Sequence, residues 1–245
     1  MSSRSAPPEA GQAPGLDAPV VIAVLLAVAY PFLAHLASVR EDGTWASLAL
    51  ADLALMLLIA PLLMRRWWAL ATLAATLLLL WWMAHTPWAL LSLLAPPVGV
   101  TGWLSWWFAR SLAPGRTPLV ARIVAALYAQ AGWETSPALL AYARQVTAGW
   151  AWVLALLTAA NAGLALCAVP GGVLDALGRT PWIVVPHAWW SWFANLLNYG
   201  VVGGFMAAEF HYRKRLFPSR PYRNGLEFAR QMATLGPRFW RGLLG

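Results

Sequence analysis

Charge is missing from this chain in runs too long for a water-exposed surface to supply. Twenty-two uncharged residues separate Asp17 from Arg40, and 22 more lie between Asp42 and Arg65 with Asp52 as the one interruption. A further 43 separate Arg66 from Arg110, 30 separate Arg144 from Asp175, and 29 separate Arg179 from Glu209. An ion at the centre of a bilayer costs several kcal/mol, and about 20 apolar residues in a helix cross its ~30 Å hydrocarbon core. At ~1.5 Å per residue the longest run covers about twice that distance, so it must turn back on itself, and His85-Thr86-Pro87 is its only polar turn. The fold class predicted is therefore all-α: a polytopic bundle of six transmembrane helices over 19–38, 45–64, 67–84, 88–108, 148–169 and 187–208, with short amphipathic helices outside the membrane.

Composition agrees with this reading. Charged residues make up 11% of the chain and apolar ones 60%, against about 25% charged in an ordinary soluble domain. The net charge of +8 is compatible with nucleic acid, anionic lipid or an acidic partner, and its distribution decides among them. With the N-terminus in the cytoplasm, only Arg40 and Arg179 fall outside. Arg4, Arg65, Arg66, Arg110, Arg116, Arg122, Arg144 and all the basic residues from Arg213 to Arg241 fall inside. This is the positive-inside asymmetry of a membrane protein with both termini cytoplasmic, and no nucleic-acid partner is expected. The 17 tryptophans mostly fall near the predicted span ends, where indole rings anchor at the headgroup level.

The remaining segments are short. Residues 1–17, rich in Ala, Pro, Gly and Ser, are expected to be disordered; a cleaved signal peptide is not expected, because the apolar run after them is too long. In the cytoplasmic loop 110–147, Leu119, Val120, Ile123, Val124 and Leu127 recur at helical spacing. Ser136-Pro137 reads there as an N-cap followed by the first helical residue. The basic tail 213–245 carries Phe228, Met232, Leu235 and Phe239 on one side with arginines beside them, the pattern of a helix over 224–241 lying on an anionic leaflet.

Two groups of residues carry the chemistry. Asp52 lies about 10 Å below the outer boundary at ~1.5 Å per residue, where a carboxylate needs a partner or must become neutral. Asn161 and Asn195 fall at a similar depth with Asn198 one turn away, and Pro96-Pro97 interrupts the fourth span at the same level. These residues are expected to form one polar cluster, either a clamp between helices or a substrate or proton site. The second group is Arg110, Arg116 and Arg122, flanking Pro114-Gly115 at the start of a helix. That placement suits a lipid phosphate or an acidic carrier protein. His35, His85 and His187 share the outer level without ligand spacing, and neither a metal nor another cofactor is expected. Cys167 is single and without an activating neighbour, and no catalytic residue is assigned.

Four motifs in order extend the reading: the Arg110–Arg122 stretch, Tyr142-Ala143-Arg144-Gln145-Val146-Thr147-Ala148-Gly149-Trp150, Trp190-Ser191-Trp192-Phe193-Ala194-Asn195-Leu196-Leu197-Asn198-Tyr199, and Glu209-Phe210-His211-Tyr212-Arg213. Together they resemble the small multi-pass membrane proteins encoded with aryl-polyene and xanthomonadin-type pigment biosynthesis genes of Gram-negative bacteria, over roughly residues 20–235. The resemblance implies a bacterial inner-membrane location and a part in making or handling an aryl polyene. It supplies no mechanism. The ketosynthase activity sometimes attached to such proteins needs an activated Cys with His partners, and Cys167 is expected on the outer side, away from a cytoplasmic carrier. The expected role is an accessory protein that recruits acyl-chain enzymes or an acyl carrier protein to the membrane. Transport of a lipidic polyene and an intramembrane acyltransferase or cofactor-dependent enzyme are the alternatives.

Overall fold

The computed structural model describes residues 18–86, 88–186, 189, 192–218, 221 and 225–244; the segment 1–17 lies outside them. Helices dominate: α1 (Ala18–Arg40), α2 (Gly43–Leu63), α3 (Trp67–Met83), α4 (Trp88–Ser92), α5 (Ala95–Ser111), α6 (Leu119–Gln130), α7 (Pro137–Cys167) and α8 (Val173–Ala176). A π-helical turn, Phe193–Leu197, leads into α9 (Asn198–Leu216), followed by α10 (Gly225–Thr234) and α11 (Gly236–Leu244). Two short strands, β1 (Ala168–Val169) and β2 (Val185–Pro186), pair in parallel with Ala168 opposite Val185. Four helical stretches are long and apolar enough to cross a membrane: Val21–Arg40, Gly43–Leu63, Trp88–Ser111 and Pro137–Cys167.

The expected spans differ from the observed helices in instructive ways. The third, predicted at 67–84, is a 17-residue helix, about 26 Å long at ~1.5 Å per residue and so slightly shorter than the core. The fourth, predicted as one helix at 88–108, is two, with the break at Leu93-Leu94. Pro96 and Pro97 fall in the first turn of α5, where a missing N–H removes no intrahelical bond; they start a helix rather than interrupt one. The fifth, predicted at 148–169 after a separate loop helix, is part of a single 31-residue helix beginning at Pro137. Arg144 ends the charged loop in the sequence, and the helix runs through it. The sixth, predicted at 187–208, continues to Leu216, while His187 lies outside the described residues. The tail helix predicted at 224–241 is two helices, because Gly236 adopts φ +79 ahead of Pro237 and turns the chain.

The chain divides into two compact units, Met1–Ala37 with Asp42–Ala89, and Ser38–Glu41 with Leu90–Gly245. In the first, α2 packs on α3. Gly43 lies so close to the turn after α3 that a Cβ there would sit 2.2 Å from the Ala84 carbonyl oxygen. Four residues on, the Ser47 hydroxyl donates to the Leu80 carbonyl at 3.0 Å. Buried positions here are mostly small, including Ala34, Ala37, Ala46, Ala49 and Ala69, while Leu57, Trp67 and Trp81 are 70%, 79% and 73% exposed. Small residues inside and large apolar ones outside is the arrangement of helices packed in lipid, where burying Leu gains nothing over leaving it in the tails.

The second unit is built on α7. Along its span α5 packs closely: the Ser105 hydroxyl donates to the Ala151 carbonyl at 2.9 Å, and the Thr158 hydroxyl reaches Thr101 Oγ1 at 2.9 Å. Gly102 admits Thr158, whose Cγ2 would lie 3.3 Å from an added Cβ. Before the span, α6 packs against α7 through Ala121, Val124, Tyr128, Leu139 and Ala143. Ser136 caps α7, its Oγ accepting from the Leu139 amide at 3.2 Å, as its sequence position predicts.

Candidate functional site

The end of α5 and the start of α6 bring the three predicted arginines into one place. Trp107, Arg110 and Ser111 fall on one face of α5, three and four residues apart. The chain turns through Gly115 (φ +77), and α6 then contributes Leu119 and Arg122. Arg110, Arg116 and Arg122 line a single cavity of about 260 Å³ together with Trp107, Ser111, Thr117, Leu119 and Leu243. No carboxylate is among these lining residues. The Arg110 guanidinium lies over the Trp106 ring, 5.1 Å from its centroid. Arg122 donates to the Gly242 carbonyl in α11, and Leu243 beside it is buried.

Hydroxyl groups fix this corner. Ser111 Oγ donates to the Phe108 carbonyl at 2.7 Å and accepts from the Leu119 amide at 3.1 Å. The Val120 amide donates to Thr147 Oγ1 at 3.2 Å, and Thr147 is itself fully buried, bonded to the Ala143 carbonyl. The first two amides of α6 are thereby taken, so the helix start does not present them to an anion, as its position had suggested. The attraction for negative charge comes instead from three guanidinium groups sharing one cavity with no lining acid to neutralise them.

Of the predicted polar cluster, the structure brings together Asn161 and Asn198. Asn161 is fully buried and Asn198 nearly so. Each Nδ2 donates to the other's Oδ1, at 3.2 and 3.1 Å. This reciprocal pair joins α7 to the first residue of α9, just after the π-helical turn. Asn195 lies within that turn, and its side chain lies outside the described residues. Asp52 belongs to the other compact unit, and its Oδ2 is buried without a hydrogen-bond partner. Among the described residues no three His, Cys, Asp or Glu side chains converge on a point where a metal ion could bind.

A further polar constellation escapes sequence reasoning. Glu209 and Arg213, one turn apart on α9, form an ion pair at 3.1 Å with side chains only 12% and 9% exposed. The Tyr142 hydroxyl of α7 reaches Glu209 Oε1 at 3.5 Å, and Arg213 lies over the Phe228 ring of α10. Burial pushes the Glu209 carboxyl above its ordinary range, opposed by the Arg213 guanidinium and the Tyr142 hydroxyl. The available signal was the first acid after the last uncharged run, followed at helical spacing by an arginine. No family model, characterised protein or solved structure matches the chain.

Proposed function

We propose that the chain is a six-span protein of the bacterial inner membrane, with both termini in the cytoplasm, that recruits acyl-chain machinery to the bilayer through its basic cytoplasmic end. The four long apolar helices and the inverted burial of the first unit support the membrane part. The distribution of Lys and Arg supports the orientation. The resemblance to proteins of aryl-polyene and xanthomonadin-type pigment clusters supports the pathway: an apolar polyene made on an acidic acyl carrier protein has to meet the membrane where it is deposited.

One observation carries the recruiting role. Arg110, Arg116 and Arg122 line a common cavity that no acid lines, and its volume of about 260 Å³ suits a phosphodiester with part of its linker. An acidic carrier protein attracted over the ~8 Å screening length would be positioned by such a contact. Binding of a phosphopantetheine-bearing carrier protein to the full chain in nanodiscs tests this. Reversal of Arg110, Arg116 and Arg122 to Glu is expected to weaken binding at least ~10-fold, consistent with the loss of charge-assisted hydrogen bonds, and added salt is expected to weaken it further. Carrier binding that survives the triple reversal would remove the cavity as the dock.

A further inference from the structure

The face on which α7 meets α9 carries a second cavity, apart from the arginine cavity at the end of α5. Contacts along these helices run in opposite directions: Asn161 meets Asn198, Gly149 meets Phe205, and Tyr142 meets Glu209 and Tyr212. Near the basic end of α9 they leave a groove of about 620 Å³. Its lining changes character along its length. Val146, Gly149, Phe205 and Ala208 form the end nearer the apolar span, and Tyr142, Gln145, Glu209, His211, Tyr212 and Arg215 form the other. From Phe205 to Arg215 the axis advances ~15 Å, about the distance from a phospholipid headgroup to the upper part of its chains.

At the apolar end Gly149 lets Phe205 approach α7 closely. A Cβ there would lie 3.0 Å from Phe205 Cζ, and the Phe205 ring is held edge-on against Trp150 with centroids 4.7 Å apart. At the polar end the groups are of two kinds. Arg215 is exposed on the last turns of α9 and supplies positive charge. His211 has its Nδ1 2.8 Å from the Ala207 carbonyl, which ties its ring to the preceding turn. Glu209 is tied to Arg213 and Tyr142 through Oε1 and adds a carboxylate acceptor to the lining. Any phosphate meets repulsion from Glu209; hydroxyls on the same head offset it, because O–H groups donate to carboxylate and amide oxygens.

We infer that this groove binds an anionic glycerophospholipid with a hydroxylated headgroup, its phosphate at Arg215, its hydroxyls at Glu209 and Gln145, and its upper chain against Phe205 and Gly149. The inference rests on the membrane reading above and is independent of carrier docking. It places a lipid at the junction of the helix that carries the bundle and the helix that leads to the basic tail.

Native mass spectrometry of the full chain released from micelles, with phosphatidylglycerol, phosphatidic acid or phosphatidylcholine added in equal amounts, tests it. Phosphatidylglycerol is expected to be retained about tenfold over phosphatidylcholine and detectably over phosphatidic acid, the margin a charge-assisted hydrogen bond supplies. Arg215→Gln, at an exposed position where folding does not depend on the side chain, is expected to abolish that preference, as is Gly149→Leu, which fills the groove. Arg116→Gln, in the other cavity, is expected to keep it. Equal retention of the three lipids, or a preference unchanged by Arg215→Gln, would overturn the inference. So would displacement of the lipid by free glycerol phosphate at equal concentration, since the recognised group would then be a soluble phosphate. A chain that stays soluble without detergent would instead refute the membrane reading itself.

Discussion

At the scale of single residues, the amide pair and one glycine are the most exposed to test. Asn161 and Asn198 exchange two hydrogen bonds, so replacing either strips the other of both bonds of the pair, while replacing both removes the need for them. Asn161→Leu and Asn198→Leu are each expected to lower stability in detergent by about 1–2 kcal/mol, and the double variant by clearly less than their sum. Additive losses in a thermal-unfolding cycle would mean that the pair is not coupled. Gly43 is the second point. With a Cβ 2.2 Å from a backbone oxygen, Gly43→Ala is expected to cost about 1–3 kcal/mol as α2 and the turn after α3 are forced apart. Gly163→Ala, where nothing lies within 4 Å, is expected to be neutral or stabilising by up to ~1 kcal/mol, the ordinary helix preference. The same melting experiment compares the two. From sequence, all three amides were legible as costly, because an amide in lipid must find a partner, but it was Asn195 that fell level with Asn161, with Asn198 one turn away. The choice of Asn161 and Asn198 for each other was not legible, since depth fixes one coordinate of three. Gly43 gave no signal, as its neighbour Ala84 lies two helices away along the chain.

At the scale of elements, charge and capping chemistry were readable and continuity was not. Ser136-Pro137 starts α7 where an N-cap and first-turn proline dictate, and the apolar spacing from Leu119 to Leu127 yields α6. Arg110 and Arg122 flank a Pro-Gly turn, so a hairpin brings them together whatever its detail. Hydropathy, however, reports where the solvent changes and says nothing of where hydrogen bonding stops. That is why α7 runs through Arg144 and α9 runs past Glu209, and why Tyr142 and Glu209, far apart in the chain, went unpaired. The last helix offers a prediction of its own. Arg122 donates to the Gly242 carbonyl and Leu243 lines one side of the arginine cavity, so under the proposed docking role α11 would compete with an incoming anion. A chain ending after Leu235 is expected to bind the carrier protein, or inorganic pyrophosphate as a small probe, several-fold more tightly, consistent with about 1 kcal/mol of hydrogen bond released. Titration calorimetry showing weaker binding after truncation would mean that α11 builds the site instead of covering it.

At the scale of the whole molecule, solvent decides the account. A chain with few charges, small residues buried in its first unit, and many tryptophans and leucines exposed is stable where its exterior meets hydrocarbon and its basic ends meet headgroups. The proposed carrier docking and lipid binding both depend on which side those ends occupy. Cysteine accessibility reads this directly, because the chain has a single native cysteine. In a Cys167→Ser background, Thr117→Cys and Ser5→Cys are expected to resist a membrane-impermeant maleimide in intact spheroplasts and to react once the membrane is opened. Gly43→Cys is avoided for its packing; Thr180→Cys is expected to react from outside at once. Labelling of Thr117→Cys or Ser5→Cys in intact spheroplasts, or protection of Thr180→Cys there, would contradict a bundle whose arginine cavity and termini face the cytoplasm.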